Sequence, residues 1–255
     1  MRVVFIDAGC SREEYLKAFA AVTGAYCLKR RLILLDGMCG GIKDAFGHAL
    51  GRNPFKEEMR YFSLTGFDYL MQKYRLGSMT FGEVILSCDA VIKDRLYILP
   101  SSGEKIRGDE TKCLIKISDM ANENGYDTFT ALGQNIDADV MKNSDLIVFC
   151  LGSSKLGIED IFVSYVDYIE PSKVFYLVCG KNGVCNKTNI GRKYSLKASH
   201  ITDIEFGERF ERLYKKGRAE GMIRPGIWVK RPENIIYAKK LKKAARMIEE
   251  AAAYG

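Results

Sequence analysis

The first forty residues set the tightest limit on this chain, because they alternate strand, tight turn, helix and strand. Met1–Asp7 (M-R-V-V-F-I-D) is a short apolar strand, Ala8-Gly9-Cys10 a turn, and the residues from Ser11 onward a helix. After Leu28-Lys29-Arg30-Arg31, a second apolar run, Leu32-Ile33-Leu34-Leu35, leads into Asp36-Gly37. Further apolar runs follow at Leu96–Leu99, Thr128–Leu132, Leu146–Leu151, Lys173–Cys179 and, more weakly, Ile201–Phe206. Helical spacing fills the intervals at Phe67–Tyr74, Thr80–Ile92, Lys112–Asn124, Asp137–Asn143, Ile158–Ile169, Glu208–Glu220 and Pro232–Ala253. A loop and short helix cover Gly40 to Leu50. Strands alternating with helices predict an α/β fold, with a mostly parallel central sheet of about seven strands and helices on both faces. The 255 residues suit one large domain, read as 1–255 with a basic helical extension from about 232.

The turn after the first strand is where such folds hold phosphate. A working phosphate loop surrounds the anion with backbone N–H groups and adds a Gly-Lys-Ser/Thr for charge and magnesium. Here the turn reads Ala8-Gly9-Cys10-Ser11-Arg12-Glu13-Glu14, with one glycine and no lysine. Ser11 and Glu14 fit the capping box, in which a hydroxyl and a carboxylate satisfy the helix-end donors themselves. Glu13 and Glu14 also compensate the positive end of the helix that would attract an anion. Arg12 is the one residue of the turn able to offer a guanidinium to phosphate.

Composition narrows the remaining chemistry. An apolar fraction of 47% with 28% charged residues is that of a globular protein. No apolar run approaches the roughly 18 residues of a membrane span, and no secretory signal opens the chain, so a cytoplasmic location is expected. Eight cysteines lie scattered without C-x-x-C spacing, several inside strand-like runs, which points to buried reduced thiols and to no metal site. With only His48 and His200 present, histidine-based catalysis has little to build on. The charge is lopsided: residues 1–180 carry 21 basic and 24 acidic side chains, and residues 181–255 carry 18 and 8. An excess of ten positive charges in the last third suits either an anionic partner or a plain solvated face. Lys239, Lys240, Lys242, Lys243 and Arg246 concentrate it on one helix, whose apolar face of Leu241, Ala244, Ala245 and Ile248 is small and lacks Trp or Phe. Such a face favours packing on the protein itself over burial in lipid.

The order of elements resembles the MinD/ParA family of deviant P-loop ATPases. The resemblance runs from Met1 to about Ile223 and rests on residues 2–22, Leu32–Gly37 with Gly40-Gly41, Tyr126-Asp127, Ser144–Phe149, Val174–Cys179 with Asn182, and Ile201–Phe206 with Phe210. It implies a vestigial nucleotide site made of Gly9, Cys10, Ser11, Arg12, Asp36, Gly40, Gly41, Asp137 and Asn182. The family's K-G-G-x-G-K-T/S turn is replaced by Gly9–Tyr15, the second acid of its D-x-D by Met38, and its later strand-end aspartate by Leu132 or Gly133. Loss of charge clamp, magnesium ligand and Walker B acid together implies a pseudo-ATPase, with no cofactor expected and no catalytic residue; ATP and magnesium would bind only through an unconventional loop. The resemblance further implies work in partition, division-site placement or positioning of a pilus or secretion apparatus, near the CpaE/TadZ group. Implied partners are proteins of such a system, non-specific DNA, an anionic membrane surface, or a second copy in a homodimer. Two rival readings are an active ATPase using Arg12, Asp36 and Asp137, and a non-specific DNA-binding protein using the basic last third. For the individual residues simpler roles compete: Asp36 and Asp137 as capping acids, and Gly40-Gly41 as a tight backbone turn.

Overall fold

In the computed structural model the described residues are 1–37, 41–42, 45–46, 65–100, 108–134, 136–152, 154–164, 169–179, 186–219 and 232–254. Eight strands form one sheet: β1 (Arg2–Ala8), β2 (Leu32–Asp36), β3 (Asp89–Ile92), β4 (Leu96–Leu99), β5 (Asp127–Gly133), β6 (Leu146–Leu151), β7 (Val174–Cys179) and β8 (Ile201–Ile204). Their spatial order is β3-β4-β2-β5-β1-β6-β7-β8, parallel throughout except for the antiparallel edge strand β3. The inner strands are buried along nearly their whole length, as helices on both faces require.

The helices are α1 (Arg12–Tyr26), α2 (Phe67–Arg75), α3 (Phe81–Ser87), α4 (Asp109–Glu123), α5 (Ala138–Lys142), α6 (Lys155–Ser164), α7 (Lys187–Lys193), α8 (Glu208–Tyr214) and α9 (Pro232–Tyr254). α1 and α9 lie together on one face over Phe5, Leu34, Phe129 and Val148. The opposite face is covered in two parts: α5, α6 and α7 over Ile6, Phe149 and Tyr176, and α2, α3 and α4 over Ile33, Leu35 and Tyr97. α9 buries Leu241, Ala244, Ala245 and Ile248, each 5% exposed or less, and so packs its small apolar face on its own protein as the sequence predicts.

Several elements depart from the sequence reading: α7 (Lys187–Lys193) is not among the expected helices, the helix expected over Glu208–Glu220 ends at Tyr214, and an extra strand appears. The helix expected over Thr80–Ile92 stops at Ser87, and Asp89–Ile92 becomes an eighth strand. Cys88 leaves the helix in an extended conformation, and the chain turns back on β4 through Asp94, whose φ is +61°. The Asp94 N–H donates to the Tyr97 hydroxyl at 3.2 Å, and the Arg95 N–H to the Ile92 carbonyl at 3.0 Å. A hairpin that satisfies the exposed edge of β4 outweighs five more residues of helix. The loop and short helix expected over Gly40 to Leu50 fall largely outside the described residues.

Candidate functional site

Chain connections run from β1 to β2 on one side of the sheet and from β6 to β8 on the other, so β1 marks the switch point. In open α/β sheets ligands bind outside the carboxyl ends of the strands at that place. The β1–α1 turn occupies it. Gly9 adopts φ +85°, a left-handed conformation open to glycine. The turn after β6 lies directly on it: a Cβ added to Gly152 would sit 2.1 Å from the Gly9 carbonyl oxygen and 2.3 Å from Cys10 Cα. A Cβ on Gly157 would sit 2.6 Å from Gly9 Cα. Two hydrogen bonds tie the turns together, Gly152 N–H to Ala8 O and Ser154 N–H to Gly9 O, each 3.2 Å.

The amides of this turn are engaged by the chain's own acids. The Cys10 N–H donates to Asp7 Oδ1 at 2.8 Å. The Ser11 N–H donates to Glu14 Oε2 at 3.0 Å, and the Glu14 N–H donates to Ser11 Oγ at 3.2 Å, completing the expected capping box. Gln134, just past β5, donates from Nε2 to Asp7 Oδ2 at 3.3 Å. Asp7 is 8% exposed, and burial pushes its pKa up against the opposing effect of the Cys10 and Gln134 donors. Lys17, the nearest lysine in the sequence, points elsewhere. Its Nζ meets Glu13 at 2.8 Å and Glu211 at 3.5 Å, over the rings of Phe206 and Tyr214.

Behind the turn lies a polar layer the sequence reading did not assemble. Tyr15 is fully buried; its hydroxyl donates to Phe5 O at 2.9 Å and accepts from Gly133 N–H at 3.3 Å. Burial, with the charges of Asp7 and Asp36 nearby, holds its proton on well above the ordinary tyrosine range. The Cys10 thiol donates to the Cys150 carbonyl at 3.3 Å; contact with Cys179, then burial, pushes its pKa far up, so it is no nucleophile. A signal for Asp7 was present in its place three residues before Cys10, where an aspartate side chain can reach forward to a turn amide.

Of the residues named from the sequence, Gly9, Cys10, Ser11 and Arg12 form this turn. Gly41 meets it, with φ +118° and a Cβ position 3.2 Å from Arg12 Nη2. Asp36 ends β2, is 3% exposed, and pairs in register with Ala131 of β5. Asp137 serves elsewhere, as the N-cap of α5: it accepts from Asp139 N–H, Val140 N–H and Thr111 Oγ1 at 3.0, 3.1 and 2.8 Å. Gly40 and Asn182 lie outside the described residues. Among the described residues no group of three His, Cys, Asp or Glu side chains is arranged to hold a metal ion.

The basic helix contributes a second feature. Lys239, Lys240, Lys242, Lys243 and Arg246 are exposed on α9. Lys242, Lys243 and Arg246 join Lys29 and Arg30 from the end of α1 around a groove of about 420 Å³, where the one carboxylate, Glu249, binds Arg30 at 2.8 Å. No helix among the described residues is long and apolar enough to cross a membrane.

No family model matches this sequence, and no curated protein does. Solved structures do. A ParA family ATPase from Chlorobium tepidum superposes with a TM-score of 0.67 at 12% identity, covering 96% of this chain and 98% of that one. MinD in the MinC:MinD cell division complex of Aquifex aeolicus gives 0.64 at 13% identity, over 98% and 96%. The septum site-determining protein MinD of Pyrococcus horikoshii, complexed with Mg-ADP, gives 0.60 at 10% identity, over 98% of this chain and 99% of that one. At these identities the likeness establishes the fold, which is that of the ParA/MinD P-loop NTPases.

Proposed function

We propose that this chain is a localisation or scaffold factor of the ParA/MinD kind that works by binding protein partners and does not turn over ATP. The observation that carries the reading is the occupancy of the β1–α1 turn. The Cys10 and Ser11 amides that a phosphate would need already donate to Asp7 and Glu14, and the turn Gly9–Tyr15 contains no lysine to displace them. The acid layer of Asp7 and Asp36 adds repulsion to any triphosphate. The described residues of the turn therefore do not fit ATP with magnesium, and no chemical step is assigned to it. The fold shared with a MinD bound to MinC, and with a ParA family ATPase, supports a role in partition, division-site placement or positioning of a pilus or secretion apparatus, in the cytoplasm and as a single domain. Titration of the purified chain with ATP and magnesium tests it. No saturable binding at millimolar nucleotide is expected; micromolar binding with measurable hydrolysis rejects it.

A second reading is favoured by the groove between α1 and α9. Five cations line it, of which Arg30 is paired to Glu249 and Arg246 to Glu250, and the remaining positive charge suits non-specific contact with nucleic-acid phosphates. Such binding weakens steeply as salt rises, because phosphate contacts release counterions. Lipid is the poorer partner, since the apolar residues of α9 are already buried and only its cations remain to offer.

A further inference from the structure

The strands that bring their carboxyl ends to the β1–α1 turn send their amino ends to the opposite edge of the sheet. There, beneath the starts of β7 and β8, a cavity of about 730 Å³ opens between α6 and α7 on one side and α9 on the other. That is the size range of small-molecule sites. One wall is aromatic. Phe162 of α6 stacks on Tyr176 of β7, ring centroids 5.2 Å apart, and on Tyr194 at 3.7 Å with the planes within 4°. Lys197 and His200 line the cavity from the segment leading into β8, and Glu250 from α9. Glu250 is compensated by Arg246, whose Nε donates to it at 2.7 Å, so the unbalanced charge on the wall is positive.

Tyr176 supplies the decisive group. The residue is 4% exposed and lines the cavity, and its hydroxyl makes no hydrogen bond to another described residue. Burial is the one influence on its titration and pushes its pKa up to about 12, so the phenol keeps its proton. Because it opens on the cavity, this hydroxyl is placed to donate to a ligand that accepts from it.

We infer that this cavity is a ligand site separate from the β1–α1 turn, and that it takes a small aromatic carboxylate. The ring of the ligand lies against the Phe162–Tyr176–Tyr194 wall. Its carboxylate accepts from the Tyr176 hydroxyl and is countered by Lys197. The inference is independent of whether the turn binds nucleotide.

Calorimetric titration of the full chain with 2-naphthoate, and with 2-naphthamide as the uncharged counterpart, tests it. One 2-naphthoate per chain is expected, with weaker binding of the amide. Tyr176→Phe keeps the ring and removes the donor; a charge-assisted bond of this type is worth roughly tenfold or more in affinity. Lys197→Met, away from the core, lowers the affinity of the carboxylate and leaves that of the amide unchanged. The inference is overturned by the absence of binding at millimolar 2-naphthoate, by equal affinity for the amide, or by full affinity in both variants.

Discussion

Replacing Gly152 by alanine tests how tightly the exit turn of β6 clamps that of β1. The added Cβ would fall 2.1 Å from the Gly9 carbonyl oxygen, 2.3 Å from Cys10 Cα and 2.4 Å from Cys10 N. All three are backbone atoms, so no side chain can swing away. Ordinary contact starts at 3.4 Å, and the two turns must part by more than an ångström to reach it. Parting them lengthens Gly152 N–H to Ala8 O and Ser154 N–H to Gly9 O, both 3.2 Å now. Overpacking of this kind costs about 1–3 kcal/mol, and two weakened hydrogen bonds add about 1 kcal/mol each. The expected loss is then about 3–5 kcal/mol, or roughly 10 °C in melting temperature for a chain of this size. Gly191→Ala is the matched control: it lies in α7 with nothing within 4 Å of its Cβ position, and should gain up to about 1 kcal/mol. Urea unfolding of the three proteins, followed by far-ultraviolet circular dichroism, reads both. If Gly152→Ala costs under about 1 kcal/mol, the close approach of the two turns is wrong.

Other expectations concern the acids. Ser11→Ala should cost about 1 kcal/mol by leaving the Glu14 N–H without its acceptor, and a loss indistinguishable from zero in urea unfolding would refute the capping role. Asp7 has a raised pKa in the folded chain, so the native state holds its proton longer and stability falls as pH rises from about 3.8 through the native value. Asp7→Asn should remove that component, and the pH dependence of its unfolding free energy should be flatter than wild type over that window. Asp145 behaves oppositely. Burial would push it up, but Arg2, which donates to it from its backbone N–H at 2.7 Å and from Nη2 at 2.8 Å, holds it below the usual range. The stabilisation is present above about 3.8 and lost as pH falls through the native value, so Asp145→Asn should differ most from wild type at neutral pH and converge with it in acid. At a third exposed, the pair is partly screened, and a difference near 1 kcal/mol is expected.

The sheet was legible because its strands are buried on both faces and read as unbroken apolar runs; Leu96–Leu99 and Leu146–Leu151 fall where periodicity puts them. β3 was not, because Val91 and Ile92 continue the helical spacing of Phe81, Val84, Ile85 and Cys88. Only the partner strand β4, a tertiary fact, decides between helix and hairpin there. At the site, the Ser11–Glu14 cap was visible since it is a local pattern four residues long. The roles of Asp7, Gln134 and Gly152 were not, as each depends on strands up to 143 positions apart in sequence being adjacent in the sheet. For Asp137 the sequence left a vestigial site acid and a helix cap both open, and its hydrogen bonds are those of the cap.

The placement of β1 has a consequence for how the protein comes to be. Its flanking neighbours are β5 and β6, which begin at Asp127 and Leu146, and the helix that follows it is covered by residues 232–254. During synthesis this inner strand is made before both of its neighbours and before the helix that covers α1. Until then Phe5, Phe19 and Val22 face water, a span of translation in which a chaperone has something to hold.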